Sequence, residues 1–298
     1  MTELTLALDI GGTKIAAGLV AADGELVAVE QRPTPRGTDP EAVFAVVVEL
    51  VAAMTATHEV RGVGIASAGP VELRTGTVSP VNVPAWRGFP IRDRVAALVP
   101  GLPVRLGGDG LCMALGEQWR GAGRGATFML GMVVSTGIGG GLILDGRPYF
   151  GRTGNAGHVG HVVVDPDGPS CACGGRGCVE AVASGPRMVR WARENGWQPP
   201  DGADAEVLAR DAAAGNEVAL RAFARGGRAI ATMIASVAAV CDLDLVVIGG
   251  GVAKSGELLF GPLRSALTEY ARLDFISGLR VHPAQLGAEA GLVGAARL

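Results

Sequence analysis

Apolar residues at Leu4, Leu6, Leu8 and Ile10 alternate with other side chains, the period of a half-buried strand. The chain turns at Gly11-Gly12-Thr13, resumes as an apolar run over 15–20, turns again at Asp23-Gly24 and continues over 26–30. This pattern predicts a three-stranded antiparallel meander. Asp39-Pro40-Glu41 combines a capping carboxylate with proline at the first helical position, and predicts a helix running to about Thr57. Residues 61–66 read as a buried strand, and Asp109 reads as the N-cap of a helix ending near Arg120.

A second, similar pattern follows. Residues 128–134 predict a strand, 135–141 a glycine turn, 142–144 a short strand, and Asp145-Gly146 a tight turn. The order of strand, Gly/Thr turn, strand and Asp-Gly turn thus occurs twice, about 125 residues apart. The two stretches share no residue-level identity, so the pattern supports shared architecture only. Residues 196–202 read as a surface loop, 206–240 as Ala-rich helix, 244–248 as a buried strand ending in glycines, and 291–297 as a closing helix.

At 298 residues the chain can bury a large core, and its length suggests two domains. Hydrophobic residues make up 48% but aromatic ones only 4%, so Ala, Val, Leu and Ile build that core. A net charge of −3 without a basic block gives no nucleic-acid or anionic-membrane footprint. No secretory signal is evident, and no apolar stretch is expected to reach the ~20 residues of a membrane helix. The expected address is therefore cytoplasmic, where thiols stay reduced.

Three of the five cysteines, Cys171, Cys173 and Cys178, follow His161 closely, with glycines between them. Three thiolates and an imidazole form a closed tetrahedral set for a structural zinc ion; the alternative is buried or disulfide-bonded cysteines beside an unrelated histidine. Cys112 and Cys241 stand in apolar surroundings and read as core residues. Three glycine turns each follow a buried strand: Asp9-Ile10-Gly11-Gly12-Thr13-Lys14, the turn containing Thr136 and Gly137, and Gly249-Gly250-Gly251. Backbone N–H groups crowd around phosphate oxygens at such turns, although a single one is indistinguishable from an ordinary hairpin. Three together point to a nucleotide held between two halves. None is a P-loop or a dinucleotide fingerprint.

These motifs resemble the ROK family of repressors and sugar kinases, a branch of the actin-like kinases. The resemblance spans essentially the whole chain and is most specific at Gly157-His158-Val159-Gly160-His161 followed by the cysteine segment and Glu180. It implies an α/β fold of two actin-like, ribonuclease-H-like domains with a cleft between them and a zinc-binding loop. The N-terminal domain would be 1–115, closed by 284–298, and the C-terminal domain 116–283. It further implies that Gly11, Gly12, Thr13 and Lys14 contact ATP, with Asp9 near Mg2+. Thr136 and Gly137 would form a second phosphate turn, and Gly249, Gly250 and Gly251 would border the adenosine. Asp109 would be the catalytic base, the alternative being a plain helix cap. Asn82, His158, His161 and Glu180 would line the sugar site, with His161 also binding zinc.

Two departures bear on the substrate. The resemblance leads one to expect asparagine before the aspartate, where this chain has Gly108, and a carboxylate where it has His158. Histidine in that slot is similar to some bacterial N-acetylmannosamine kinases, which keep the asparagine. The implied activity is ATP-dependent phosphorylation of a hexose-like sugar at its primary hydroxyl. Alternatives are an amino-sugar or cyclitol kinase, and a sugar sensor or transcriptional regulator with little kinase activity. Strand formation from Leu4 leaves no room for a preceding DNA-binding domain in this sequence, which disfavours the regulator. A homo-oligomer, dimer or tetramer, is expected from the resemblance.

Overall fold

The computed structural model describes residues 3–298. β1 (Leu4–Ile10), β2 (Lys14–Ala21) and β3 (Leu26–Pro33) form the expected meander. α1 (Pro40–Thr55) ends two residues early, and the Asp39 carboxylate accepts from the Glu41 amide at 2.9 Å. β4 (Val60–Ser67), a small hairpin of β5 (Val71–Glu72) and β6 (Thr77–Val78), α2 (Ile91–Leu98) and β7 (Val104–Gly108) follow. The first sheet has the order β3-β2-β1-β4-β7, with β1, β4 and β7 parallel.

α3 (Asp109–Arg120) leads to β8 (Met129–Val134), β9 (Ile138–Leu144) and β10 (Arg147–Tyr149). After the cysteine segment come α4 (Val179–Ala183), α5 (Gly185–Glu194), α6 (Ala205–Ala213) and α7 (Glu217–Cys241). The Ala-rich helical stretch is divided into two helices, α6 and α7. Gly215 takes a φ of +90°, and the Asn216 side chain caps α7 through the Ala219 amide at 3.0 Å. β11 (Leu245–Gly249), α8 (Glu257–Tyr270), β12 (Arg280–Pro283) and α9 (Ala290–Ala295) complete the chain. The second sheet, β10-β9-β8-β11-β12, repeats the order and directions of the first.

Each sheet has its own apolar core: Leu6, Leu8, Val47 and Ile65 are among the first, Met132, Ile230, Ile234 and Leu263 among the second. α3 and α9 lie between the sheets, α3 touching β7 and β4 on one side and β8 and β9 on the other. They cross closely because a Cβ on Gly294 would fall 1.6 Å from the Cys112 carbonyl oxygen, and one on Gly116 2.2 Å from that of Ala290. Cys112 is fully buried at this crossing, as expected of a core residue.

One expectation about membranes is corrected. α7 has 25 residues with a mean hydropathy of 1.2 over its most apolar window, long and apolar enough to cross a membrane. In the fold 56% of that window is buried, because α7 packs against α4, α5, α6 and α8.

Candidate functional site

The parallel strands β1, β4 and β7 end in register, with Ile10 beside Ser67 and Ser67 beside Gly108. Ligand sites in open α/β sheets form at such carboxyl ends. Here they carry the first glycine turn, Gly69 and Asp109. The turn is a tight loop in which the Gly11 amide donates to the Lys14 carbonyl at 3.1 Å, and the Thr34 hydroxyl donates to the Gly11 carbonyl at 2.7 Å. A Cβ on Gly12 would lie 2.6 Å from Cβ of Asn82, so only glycine lets Asn82 approach the turn this closely. Thr13 is exposed in the turn. Lys14 opens β2, and its ammonium donates to Gln31 on β3 at 3.1 Å, so it is turned along the sheet.

Asp9 and Asp109 are close enough for their charges to interact. Burial foremost, then the Asp109 charge, raises the Asp9 carboxyl from 3.8 to about 6, against the opposing pull of Lys14. Gly291, in α9, packs against this carboxylate: a Cβ there would fall 2.5 Å from Asp9 Oδ2. Asp109 is not the N-cap. Gly108 is the cap residue and Asp109 the first helical residue, whose Oδ1 accepts from the Gly110 amide at 2.7 Å. Its pKa is raised because the surrounding protein strips water from the carboxyl, although the residue remains exposed to solvent. The Gly110 amide and the nearby His158 ring pull the other way. A Cβ on Gly108 would meet nothing within 4 Å, so the position is open space.

The loop before His158 ties the second half to the first. The Asn155 carboxamide accepts from the Val71 amide at 2.9 Å and donates to the Val71 carbonyl at 2.7 Å, while the Leu73 amide donates to the Thr153 carbonyl at 3.1 Å. His158 Nδ1 lies 3.1 Å from the Asn155 carbonyl. A carbonyl can only accept, so Nδ1 carries the proton and Nε2 is left free. Nε2 would lie 3.0 Å from a Cβ on Gly69, two residues beyond β4, and His161 follows with its ring centroid 6.4 Å from that of His158.

His161, Cys171, Cys173 and Cys178 place their donor atoms within 4.8 Å of one another. Cys173 Sγ and Cys178 Sγ are 3.7 Å apart, and Cys171 Sγ and His161 Nδ1 3.8 Å. A tetrahedron with zinc–sulfur bonds of about 2.3 Å has edges of about 3.8 Å. Burial pushes the Cys178 thiol up to about 12, so gathering three thiolates here requires a cation. The donor set fits structural zinc, leaving Nε2 of His161 for another partner. Immediately after Cys178, α4 carries Glu180, whose Oε2 accepts from the Ile138 amide at 2.8 Å; Oε1 remains unengaged by this bond.

The second glycine turn is shorter than the sequence suggested. The Ser135 amide donates to the Gly137 carbonyl at 2.9 Å, and β9 begins at Ile138. Gly140 and Gly141 lie inside β9, where a Cβ on Gly141 would fall 2.2 Å from Cα of Leu111 in α3 and one on Gly140 2.8 Å from the Gly131 carbonyl oxygen in β8: they serve packing. Thr136 is exposed, and Gly137 lies against Glu180 Oε2. The third turn follows β11, where Gly250 has a φ of +97° and a Cβ would lie 2.4 Å from the Val134 carbonyl; a Cβ on Gly251 would lie 3.5 Å from Ser135 Oγ. Gly249, at the end of β11, packs near Met113 and Ala284. The second and third turns therefore meet at the carboxyl ends of β8 and β11, as the first turn meets Asp109 on the other sheet.

The ROK family matches residues 5–298. The chain belongs to the ROK family. Among its ROK relatives, a glucokinase of Thermotoga maritima is 36% identical, covering 98% of this chain and 96% of the relative. An N-acetylmannosamine kinase of Citrobacter koseri is 37% identical, covering 99% and 98%. The crystal structure of a ROK glucokinase from Streptomyces griseus, in complex with glucose and AMPPNP, superposes with a TM-score of 0.84 at 35% identity, covering 99% and 98%.

Sequence reasoning missed three residues of this neighbourhood. Asn155 in a glycine-rich loop reads as an ordinary turn residue, and Gly291 as a helix start. Glu117 did leave a signal, since it ends the otherwise apolar run 111–116. It is fully buried, and its carboxylate accepts from the amides of Ala122, Gln285 and Leu286 at 2.8–3.1 Å.

Proposed function

We propose that this chain is an ATP-dependent sugar kinase that phosphorylates the primary hydroxyl of a hexose-like substrate. The observation that carries this reading is Asp109, a proton-seeking carboxyl fixed at the start of α3 between Asp9, His158 and the glycine turns. Full-length similarity to sugar kinases supports it. One Asp109 oxygen is held by the Gly110 amide, and the other accepts the proton of the sugar hydroxyl as the hydroxyl oxygen bonds to the γ-phosphorus, whose bond to the β–γ bridging oxygen breaks to release ADP. The turns at Gly11, Gly12 and Thr13, at Thr136 and Gly137, and at Gly249, Gly250 and Gly251 hold the nucleotide through backbone N–H groups. Asp9 holds Mg2+, which when bound offsets phosphate charge. Asn82, His158, His161 through Nε2, and Glu180 orient the sugar. Zinc on His161, Cys171, Cys173 and Cys178 fixes the histidine ring and the start of α4. A homo-oligomeric assembly and a cytoplasmic address belong to the same reading.

Open space at Gly108 and an imidazole at His158 favour a substrate other than glucose, such as an N-acylated hexosamine or a cyclitol. Losing groups that bond hydroxyls changes discrimination by orders of magnitude. The test compares kcat/KM for glucose, mannose, N-acetylmannosamine, N-acetylglucosamine and a carbasugar, in wild type and in a Gly108→Asn/His158→Glu double variant. The double variant is expected to gain on glucose. Phosphorylation of none of these sugars would remove the kinase reading in favour of a sensor. Glucose leading the wild-type panel, with no gain in the variant, would remove the specificity argument alone.

A further inference from the structure

A depression of about 580 Å3 lies outside the cleft, along the face of α7 that carries Arg221, Arg225 and Arg228. Trp191 and Tyr270 form walls, and Asp165 is the acidic residue on its lining. Like charges four residues apart on a helix destabilise it unless something neutralises them. Among the described residues, none of the three arginines takes part in an ion pair. Glu194, the other carboxylate felt by Arg225, is bonded to Arg190 at 2.8 Å. Arg225 is half-buried, and burial outweighs the pull of Asp165 and Glu194 on it, lowering its pKa. Its Nη1 donates to the Val182 carbonyl at 3.0 Å, and its guanidinium lies 5.6 Å from the Trp191 ring centre.

We propose that this depression is a second, non-catalytic site for a phosphomonoester, its phosphate bonded by Arg221, Arg225 and Arg228 and its body lying against Trp191 and Tyr270. Guanidinium forks match the paired oxygens of a phosphate, and a doubly charged group offsets the excess positive charge that Asp165 alone leaves. The aromatic walls suit the apolar face of a sugar ring, so the organic body is a sugar or a group of similar size. The site reaches the cleft through one bond: Val182 is in α4, the helix that carries Glu180. A phosphate drawing on Arg225 weakens its hold on Val182, loosens α4 and raises KM for the sugar. That coupling rests on the role of Glu180 in sugar binding; the binding itself does not.

The experiment titrates inorganic phosphate and, separately, glucose 6-phosphate into the full chain by calorimetry. Wild type is compared with an Arg221→Gln/Arg228→Gln double variant whose fold is checked by circular dichroism. Saturable binding is expected in wild type, weakened about tenfold or more in the variant, as when charge-assisted hydrogen bonds are removed. Equal affinity for the two probes assigns the site to free phosphate, and tighter binding of the sugar phosphate assigns it to the ester. Binding undiminished in the variant belongs to the catalytic cleft and overturns the proposal, as does no binding of either probe. Loss of a sedimenting dimer in the variant, without phosphate binding in wild type, makes the depression a contact between two copies and also overturns it. With binding established, a sugar KM that rises with phosphate in wild type but not in the variant supports the coupling; an unmoved KM removes it.

Discussion

At the scale of single residues, Asp9 and Asp109 are two carboxyls whose surroundings raise their pKa values. Burial, helped by the charge of Asp109, lifts the Asp9 carboxyl to about 6. The folded protein therefore binds this proton more tightly than the unfolded chain does. The stabilising share is present below pH 3.8 and is lost as pH rises from there through about 6. Replacing Asp109 by Asn removes a neighbouring negative charge, so the Asp9 titration, followed by carboxyl-carbon NMR, should move down; Lys14→Met should move it up. An unmoved titration in Asp109→Asn means the two carboxylates do not share a field. The same Asp109→Asn variant is expected to lose about 100-fold or more in kcat with its circular dichroism unchanged, the usual loss of general-base assistance. Near-wild-type turnover on the true substrate would take the base role away from Asp109.

At the scale of elements, the cysteine segment and α4 act as one unit. Cys178 is both a donor in the cluster and the residue capping α4, which places Glu180 two positions further on. Cys173→Ser should lower zinc content and speed hydrogen exchange across 171–183, because metal binding and folding of such loops are coupled. Elemental analysis that finds no zinc in wild type purified without chelator would sink the zinc reading. Exchange unchanged in a zinc-depleted variant would separate the metal from α4. The loop carrying Asn155 is a second such unit, since its two bonds to Val71 also position the carbonyl that holds His158.

At the scale of the whole molecule, the two sheets are joined at α3 and α9, and Glu117 sits at that joint. Its carboxylate binds amides both just after α3 and just before α9, so one buried side chain ties together the two segments where the chain passes between the halves. Glu117→Gln turns an acceptor into a donor facing N–H groups, and should cost about 2 kcal/mol or more of stability by urea unfolding, the cost of leaving buried donors unmet. A loss within experimental error would show that the joint does not depend on this charge.

The pattern of apolar positions was enough for β1, β2, β3, α1, β4 and β11, because each buries a face whose period is local. The cysteine spacing was enough for the four-donor cluster, since its donors lie close together in sequence. α2, α8 and β12 left weak signals: they are short or interrupted, as by Pro262 inside α8. The glycines were the least legible. Sequence reads 135–141 as one phosphate turn, yet Gly141 makes room for α3 and Gly140 for β8, while Gly116 and Gly294 let α3 and α9 touch. A missing side chain records only that space is short, and which neighbour takes up that space is decided by elements far away in the chain. The same holds for Asp109 and Asp9. Their residue types were visible from the start, but the desolvation that raises both pKa values, and the Asp109 charge that adds to it at Asp9, arise only when α3 is packed between the two sheets.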